Sequence, residues 1–159
     1  ALFLEAELIK RYKPKFNIAQ RDDKSDTFVR LDSKSKTPTV SFTRRPADDN
    51  AKYFGPFLNG WAVKKALRLL RQIFPFDEKP ATGDRVSLDF HIGLSPGLEE
   101  KKTTLTEYRA NLRKLAMYLS GQRTKLIASL KLEMKQAAKE KEFERAAILR
   151  NQIRGLEES

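Results

Sequence analysis

Residues 122–159 read QRTKLIASLKLEMKQAAKEKEFERAAILRNQIRGLEES, and this stretch decides the fold. Apolar side chains recur in it every three or four residues in two runs, which is the spacing of one face of an α-helix. The polar turn at 139–142 is short enough to force the two helices into an antiparallel hairpin. The apolar positions are Leu126, Leu130, Met134 and Ala137 in the first helix, and Phe143, Ala146, Leu149, Ile153 and Leu156 in the second.

The hairpin has an outer apolar stripe that another element must cover, because two helices alone bury little surface. One possible cover is a preceding helix predicted over 105–120, which would complete a three-helix bundle. The other is an equivalent hairpin of a partner protein. Phe143 is expected to fill the hairpin tip, beside small alanines that let the helices approach closely. The preceding helix is predicted from the regular spacing of Leu105, Tyr108, Leu112, Leu115 and Leu119.

The first hundred residues show a more mixed pattern. Short β-branched and aromatic runs at 27–31 and 39–43, joined by a polar connection, predict an antiparallel pair of strands. Residues 53–56, which read YFGP, predict a turn, and residues 1–11 predict a helix that ends before a proline. The expected fold class is mainly α with a small antiparallel β element and a C-terminal antiparallel helical hairpin.

A further helix is predicted from Asn59 or Gly60 to Ile73, and Pro75 stops it. Residues 79–97 are expected to form a loop with little regular structure, held by its own apolar side chains. The helix is expected to bury Trp61, Ala62, Ala66, Leu69, Leu70 and Ile73, and the loop to pack through Leu88, Phe90, Ile92 and Leu94.

The composition narrows the possible chemistry. The chain has 159 residues, about one modest domain, with no Cys and one His. Thiol nucleophiles, disulfides and Cys-ligated metals are therefore excluded, and a Ser-His-Asp triad could be centred only on His91. No apolar run is long enough to span a membrane and no signal-peptide pattern occurs, which favours the cytoplasm. Because Ala1 lies inside an amphipathic pattern, we expect a fragment of a longer protein.

The charge pattern predicts anionic partners. Lys and Arg number 32 against 21 Asp and Glu, a net charge of +11. The excess lies in blocks at 10–21, 52–76 and 101–131, whereas residues 132–159 are densely charged but neutral. Such blocks can simply be solvated helix faces, but three of them favour sequence-independent phosphate contacts. The neutral stretch at 132–159 favours a protein partner. The DNA-binding candidates are Lys10, Arg11, Lys13, Lys15, Arg21, Lys24, Arg44, Arg45, Lys64, Lys65 and Arg68.

Several parts of the sequence resemble the UvrC family of excision nucleases, which act in bacterial nucleotide excision repair. Residues 1–17, which read ALFLEAELIKRYKPKFN, are similar to the closing segment of the family's GIY-YIG nuclease module. Residues 142–153, which read EFERAAILRNQI, resemble the UVR motif. Between them, the family's order is followed by RDDKS at 21–25, TRR at 43–45, YFGPF at 53–57 and FHIG at 90–93.

The resemblance implies specific site residues. Glu5 would bind the catalytic divalent metal, Mg²⁺ or Mn²⁺, and Asn17 would support the same active site. The module's other catalytic residues would lie before Ala1, so this chain alone is predicted not to cut DNA. The hairpin would bind the C-terminal hairpin of UvrB through Phe143, Glu144, Arg145, Ala146, Leu149, Arg150 and Ile153.

The sequence departs from the family in one region. Many members carry four cysteines there that hold an iron–sulfur cluster, and the matching positions in this chain are Lys79, Ser87, Ser95 and Glu99. Without a thiolate no such cluster is expected, and His91 is expected to be a structural or DNA-facing residue.

The resemblance divides the chain into four parts. These are the end of the nuclease module at 1–20, a central linker region with the β pair and one helix at 21–100, a connecting helix at 101–121 and the UvrB-binding hairpin at 122–159. The implied function is to dock UvrB and help to place DNA for dual incision. The alternative is a non-enzymatic basic nucleic-acid-binding adaptor that reuses a UVR hairpin. A Gly-Ile-Tyr and Tyr-Ile-Gly pair upstream of Ala1 would decide between them.

Overall fold

The computed structural model describes residues 11–12, 26–80, 88–98 and 101–158, and of residues 11–12 it describes only the backbone. Within this part of the chain, a four-stranded antiparallel sheet and several helices share one hydrophobic core. The predicted fold class, mainly α with a small antiparallel β element and a C-terminal helical hairpin, is confirmed. The strands are β1 (Arg11–Tyr12), β2 (Thr27–Asp32), β3 (Thr39–Thr43) and β4 (Lys52–Phe57), and the helices are α1 (Gly60–Ile73), α2 (Leu88–His91), α3 (Leu105–Leu119), α4 (Arg123–Lys139) and α5 (Phe143–Glu158).

The strands of the sheet are ordered β1-β4-β2-β3. β2 and β3 are the antiparallel pair predicted from the sequence, with Leu31 opposite Val40. Asp32 shapes the connection between them, because its carboxylate accepts hydrogen bonds from the backbone N–H groups of Lys34 and Ser35, both at 3.2 Å. The sheet contributes Val29, Leu31, Val40, Phe54 and Phe57 to the core.

One sequence prediction in this region is wrong, and another is tested only at its last residue. The YFGP stretch at 53–56 does not form a turn but lies inside β4, where pairing with β1 and β2 outweighs the local preference of Gly and Pro. Gly55 has a φ of +125°, and a Cβ there would lie 3.0 Å from the Thr27 carbonyl oxygen, so glycine is what allows this close approach. The helix predicted over 1–11 falls mostly outside the described residues, but Arg11 is a strand residue opposite Phe54.

Helix α1 has the predicted limits but not the predicted buried face. The Asn59 side chain caps its N-terminus by accepting a hydrogen bond from the Ala62 N–H at 3.1 Å. The sequence offers two overlapping apolar stripes here, and the one that includes Val63 and Leu67 is buried in the core. Trp61 and Leu69, which were expected in the core, are exposed instead. The buried residues of α1 are Val63, Ala66, Leu67, Leu70 and Arg71.

The C-terminal helices form as the periodicity predicts. A reciprocal capping box between Thr104 and Glu107 starts α3, and α4 packs antiparallel to α5. The hairpin stripe is covered within the chain, since α3 packs on α4 and α1 packs on α5. A Cβ on Gly155 would lie 2.9 Å from Cγ1 of Ile73, which shows how closely α5 approaches the end of α1. The open end of the hairpin is closed by Arg123, whose Nη2 donates to the Leu156 carbonyl at 2.8 Å.

The segment after α1 is held by a buried arginine as well as by apolar packing, and the packing differs from the prediction. Of the four predicted residues, Leu88 and Ile92 are exposed and Phe90 and Leu94 are partly buried, whereas Phe76 lies in the core. The Arg71 guanidinium, on the core side of α1, binds three points of the segment. Its Nε donates to the carbonyls of Phe76 at 2.8 Å and Leu94 at 3.0 Å, and its Nη2 donates to the Asp89 carboxylate at 3.1 Å.

Tyr108 extends this polar network toward the sheet. Its hydroxyl donates to the Pro38 carbonyl at 2.7 Å and accepts from the Asp77 N–H at 3.0 Å. Burial raises the pKa of Tyr108, so the hydroxyl stays protonated and remains a donor. Ser95, one of the positions matched to the cysteines of the resembled family, donates to the Asp77 carboxylate at 2.7 Å. The network therefore joins the segment, α3 and the sheet.

Candidate nucleic-acid and partner surfaces

The hairpin tip presents an aromatic side chain to solvent. Phe143, the first residue of α5, is 68% exposed, so the expectation that it fills the tip is wrong. The turn before it is fixed by two backbone hydrogen bonds, from Lys141 to the Ala138 carbonyl at 3.1 Å and from Glu142 to the Ala137 carbonyl at 2.8 Å. Beside it, Arg145 pairs with Glu142 at 3.1 Å. The tip is thus an exposed aromatic side chain beside a hydrogen-bonded turn, surrounded by charges of both signs.

The other predicted UvrB-binding residues divide into two groups. Glu144, Arg145 and Arg150 are exposed on α5, and Ala146 is partly buried. Leu149 and Ile153 belong to the core and keep the hairpin on the rest of the chain. Sequence reasoning missed two exposed apolar side chains on the hairpin, Leu132 and Ile148, because both lie off the main periodic stripe.

A second surface combines aromatic and basic side chains at the start of α1. It is a cleft of about 500 Å³, which we call the Trp61 cleft. Gly60 fits against β2 so tightly that a Cβ there would lie 2.6 Å from the Thr27 Oγ1, and this contact brings Trp61 next to the end of β3. The cleft is lined by Thr27, Phe42, Thr43, Arg44, Leu58, Gly60, Trp61 and Lys64.

Three of the DNA-binding candidates meet at the Trp61 cleft. Arg44 and Lys64 line it, and Lys65 lies beside it, with its Nζ 5.3 Å from the centroid of the Trp61 ring. Two more candidates are exposed nearby in sequence, Arg45 next to Arg44 and Arg68 one turn further along α1. The remaining candidates, together with Glu5 and Asn17, lie outside the residues whose side chains are described. They are Lys10, Arg11, Lys13, Lys15, Arg21 and Lys24.

Several basic residues counted in the charge blocks are structural. Arg71 binds the segment after α1, and Arg123 closes the hairpin. Arg109 donates to three carbonyls of the β2–β3 connection, with Nε 2.8 Å from the Ser33 oxygen. Lys114 pairs with Glu133 at 3.2 Å and joins α3 to α4. The block at 101–131 is therefore less available to phosphate than its net charge indicates.

Arg30 on β2 is also structural, because it pairs with an acidic side chain. Its Nε donates to the Asp49 carboxylate at 3.0 Å, and the Tyr53 hydroxyl donates to the same carboxylate at 2.9 Å. Although burial acts to raise the pKa of Asp49, the hydrogen bonds from Tyr53 and Arg30 hold it below its ordinary value. Asp49 is therefore ionised and paired at neutral pH.

The described residues include no group of three or more His, Asp or Glu side chains that could hold a metal ion. His91 is exposed at the end of α2, and its ring centroid lies 5.8 Å from that of Phe90. Of the four positions that match the family's cysteines, Lys79 is exposed and Ser95 is hydrogen-bonded, while Ser87 and Glu99 lie outside the described residues. None of the described helices has both the length and the apolar character needed to cross a membrane.

Comparison with known proteins assigns the sequence to a family. Residues 124–159 match the UvrB/uvrC motif. The chain is 39% identical over 163 residues to the UvrABC system protein C of Thermoanaerobacter sp. (strain X514), and 38% identical over 161 residues to that of Acaryochloris marina (strain MBIC 11017). Each alignment covers 99% of this chain and 26% of the relative, so the chain spans about a quarter of their length. No solved structure matches it. Over nearly its whole length the chain is a UvrC-type sequence.

Proposed function

We propose that the chain is the central part of a UvrC-type subunit of nucleotide excision repair, in which the hairpin docks UvrB and the basic surfaces help to hold DNA for incision. The observation that carries the proposal is the exposed Phe143 at the tip of a hairpin that matches the UvrB/uvrC motif. An aromatic side chain left in water on a rigid turn gains free energy when a partner covers it.

The geometry of the hairpin favours docking at its tip over docking along its stripe. The stripe is already covered by α1 and α3 of the same chain, and Leu149 lies in that core. Phe143 is free of this packing, and charges of both signs lie beside it, which can pair with charges on another hairpin. They are Lys141, Glu142, Glu144 and Arg145. We therefore assign the UvrB contact to Phe143 and the exposed residues of the first turns of α5.

DNA would be held without reading its sequence. The exposed cations at the end of β3 and along α1, including Arg44 and Lys64, can contact phosphates, which position a protein on DNA but do not specify bases. Binding of this kind should be weak and should decrease strongly as salt increases.

In the complete subunit, Glu5 would bind a divalent cation, Mg²⁺ or Mn²⁺, and Asn17 would support that site. The ion would stabilise the leaving oxygen as a strand is hydrolysed. The test is Glu5→Gln in the complete protein, which should remove the 3′-side incision and spare the other. A Glu5→Gln protein that still made both cuts would exclude Glu5 from the site.

The docking proposal is tested by titrating the chain with the C-terminal hairpin of UvrB. Phe143→Ala should weaken binding about thirtyfold, which corresponds to about 2 kcal/mol for an interface anchor. Leu132→Ala is the matched control, because Leu132 is 69% exposed on the same hairpin but lies on α4 away from the tip.

Circular dichroism of both variants should show intact helices. Unchanged binding by Phe143→Ala with intact helices would overturn the docking assignment. An equal loss of affinity in both variants would show that docking is not centred on the tip.

A further inference from the structure

The Trp61 cleft has an aromatic side chain that the fold does not use. Trp61 is 72% exposed, although it was expected in the core, and Leu58 at the same cleft is also exposed. Lys65 lies over one face of the Trp61 ring at 5.3 Å, so the high exposure means that much of the ring is still open to solvent. A large aromatic surface left open in this way is a contact surface for something else.

The charges around the cleft indicate what that contact is. Lys64 lies 5.7 Å from the Phe42 ring centroid, Lys65 lies over Trp61, and Arg44 lines the same cleft. None of the residues known to line the cleft is acidic. Aromatic rings interleaved with cations suit a ligand that has flat apolar faces joined by negative charges, which is the chemistry of a nucleic-acid strand.

We propose that the Trp61 cleft binds single-stranded DNA, with one unstacked base against the open face of Trp61 and the adjoining phosphates against the three cations. In a duplex the base faces are covered by neighbouring bases, so a duplex can use only the cations. The inference rests on the proposed role in holding DNA, and it specifies which form of DNA this surface prefers.

The cleft contains its own reporter, because Trp61 is the only Trp in the chain. Titrating the full 159-residue chain with a thymidine decanucleotide should quench the Trp61 emission to saturation, since stacking brings a base against the indole. A duplex with the same number of phosphates should bind with much less quenching. Equal quenching by both ligands would overturn the proposal.

The DNA affinities of variants distinguish the contribution of base stacking from the contribution of charge. With labelled oligonucleotides, Trp61→Ala should weaken single-strand binding about fivefold or more and leave duplex binding within twofold. Leu69→Ala is the matched control, because Leu69 is exposed on the same helix but does not line the cleft. Both substitutions are at exposed positions, and circular dichroism verifies that the fold is kept.

The remaining outcomes distinguish this inference from the proposed function. If the unchanged chain binds both DNA forms and Trp61→Ala alters neither or both equally, the cleft assignment fails while the DNA role stands. If the unchanged chain binds no DNA, the DNA role fails and this inference with it. If Trp61→Ala weakens only the titration with the UvrB hairpin, the cleft is a protein contact and the proposal is overturned.

Discussion

The hairpin tip and the Trp61 cleft each expose one aromatic side chain to nearly the same extent, 68% for Phe143 and 72% for Trp61. Their surroundings differ. Phe143 lies among acids and bases within residues 132–159, which carry six of each, whereas the charged side chains identified at the Trp61 cleft are all Arg or Lys. The difference teaches that exposure is common to both surfaces and that the neighbouring charges indicate the class of partner. Balanced charges suit protein, and a purely basic surround suits nucleic acid.

The largest effect is expected from removing the buried guanidinium that holds the segment after α1. Arg71→Met should lower the free energy of unfolding by about 2 to 3 kcal/mol, because the carbonyls of Phe76 and Leu94 lose their buried donor. Urea denaturation followed by circular dichroism measures this loss. Arg68→Met, on the same helix but exposed, should change the free energy of unfolding by less than about 0.5 kcal/mol. Equal effects of the two substitutions would contradict the structural role of Arg71.

The salt dependence of binding should distinguish the Trp61 cleft from the hairpin tip. Raising the salt concentration from about 50 to 200 mM should weaken DNA binding roughly tenfold or more, because phosphate contacts release counterions. The affinity for the UvrB hairpin should change by less than about threefold, since exposed ion pairs contribute little to binding and salt therefore has little to screen. The two titrations are made on the same protein. A DNA affinity that did not depend on salt would contradict the basic character assigned to the Trp61 cleft.

The smallest effect is expected from removing the charge of Asp49, the acidic partner of Arg30. Asp49→Asn should lower the melting temperature by about 1 to 2 °C at pH 7. Because its pKa is lowered in the folded chain, Asp49 adds stability above its ordinary pKa of 3.8, and this stability is lost as the pH falls through the lowered value. The difference between the two proteins should therefore shrink in acid. Thermal melts at pH 7 and at pH 3 test this, and a difference independent of pH would show that the carboxylate charge contributes nothing.

Most of the architecture could be predicted from the sequence because its signals are local. The apolar spacing of α3, α4 and α5 and the β-branched runs of β2 and β3 match one periodicity each. β4 could not be predicted in this way, since Gly55 and Pro56 indicate a turn and only pairing with distant strands makes the segment extended. Tertiary contact also decided which stripe of α1 is buried.

The surfaces were predicted only in part, and for a related reason. Counting charges identifies basic blocks but does not separate Lys64, which lines a cleft, from Arg71, which binds carbonyls inside the fold. Trp61 was assigned to the core because an apolar residue in a helical pattern usually belongs there. The exposure of Phe143 depends on the geometry of the turn, which the spacing of apolar residues does not reveal.

The close contact between Gly155 and Ile73 joins the two helices that carry the exposed aromatics. At 1.5 Å of rise per residue, Trp61 lies about 18 Å along α1 from that contact, and Phe143 lies about 18 Å along α5 from it. The two aromatics thus lie at equal distances along their helices from the contact, and the small Gly155 is what lets the helices approach there. The lengths of the two helices would therefore set the distance between a protein bound at the hairpin tip and a DNA strand bound at the Trp61 cleft.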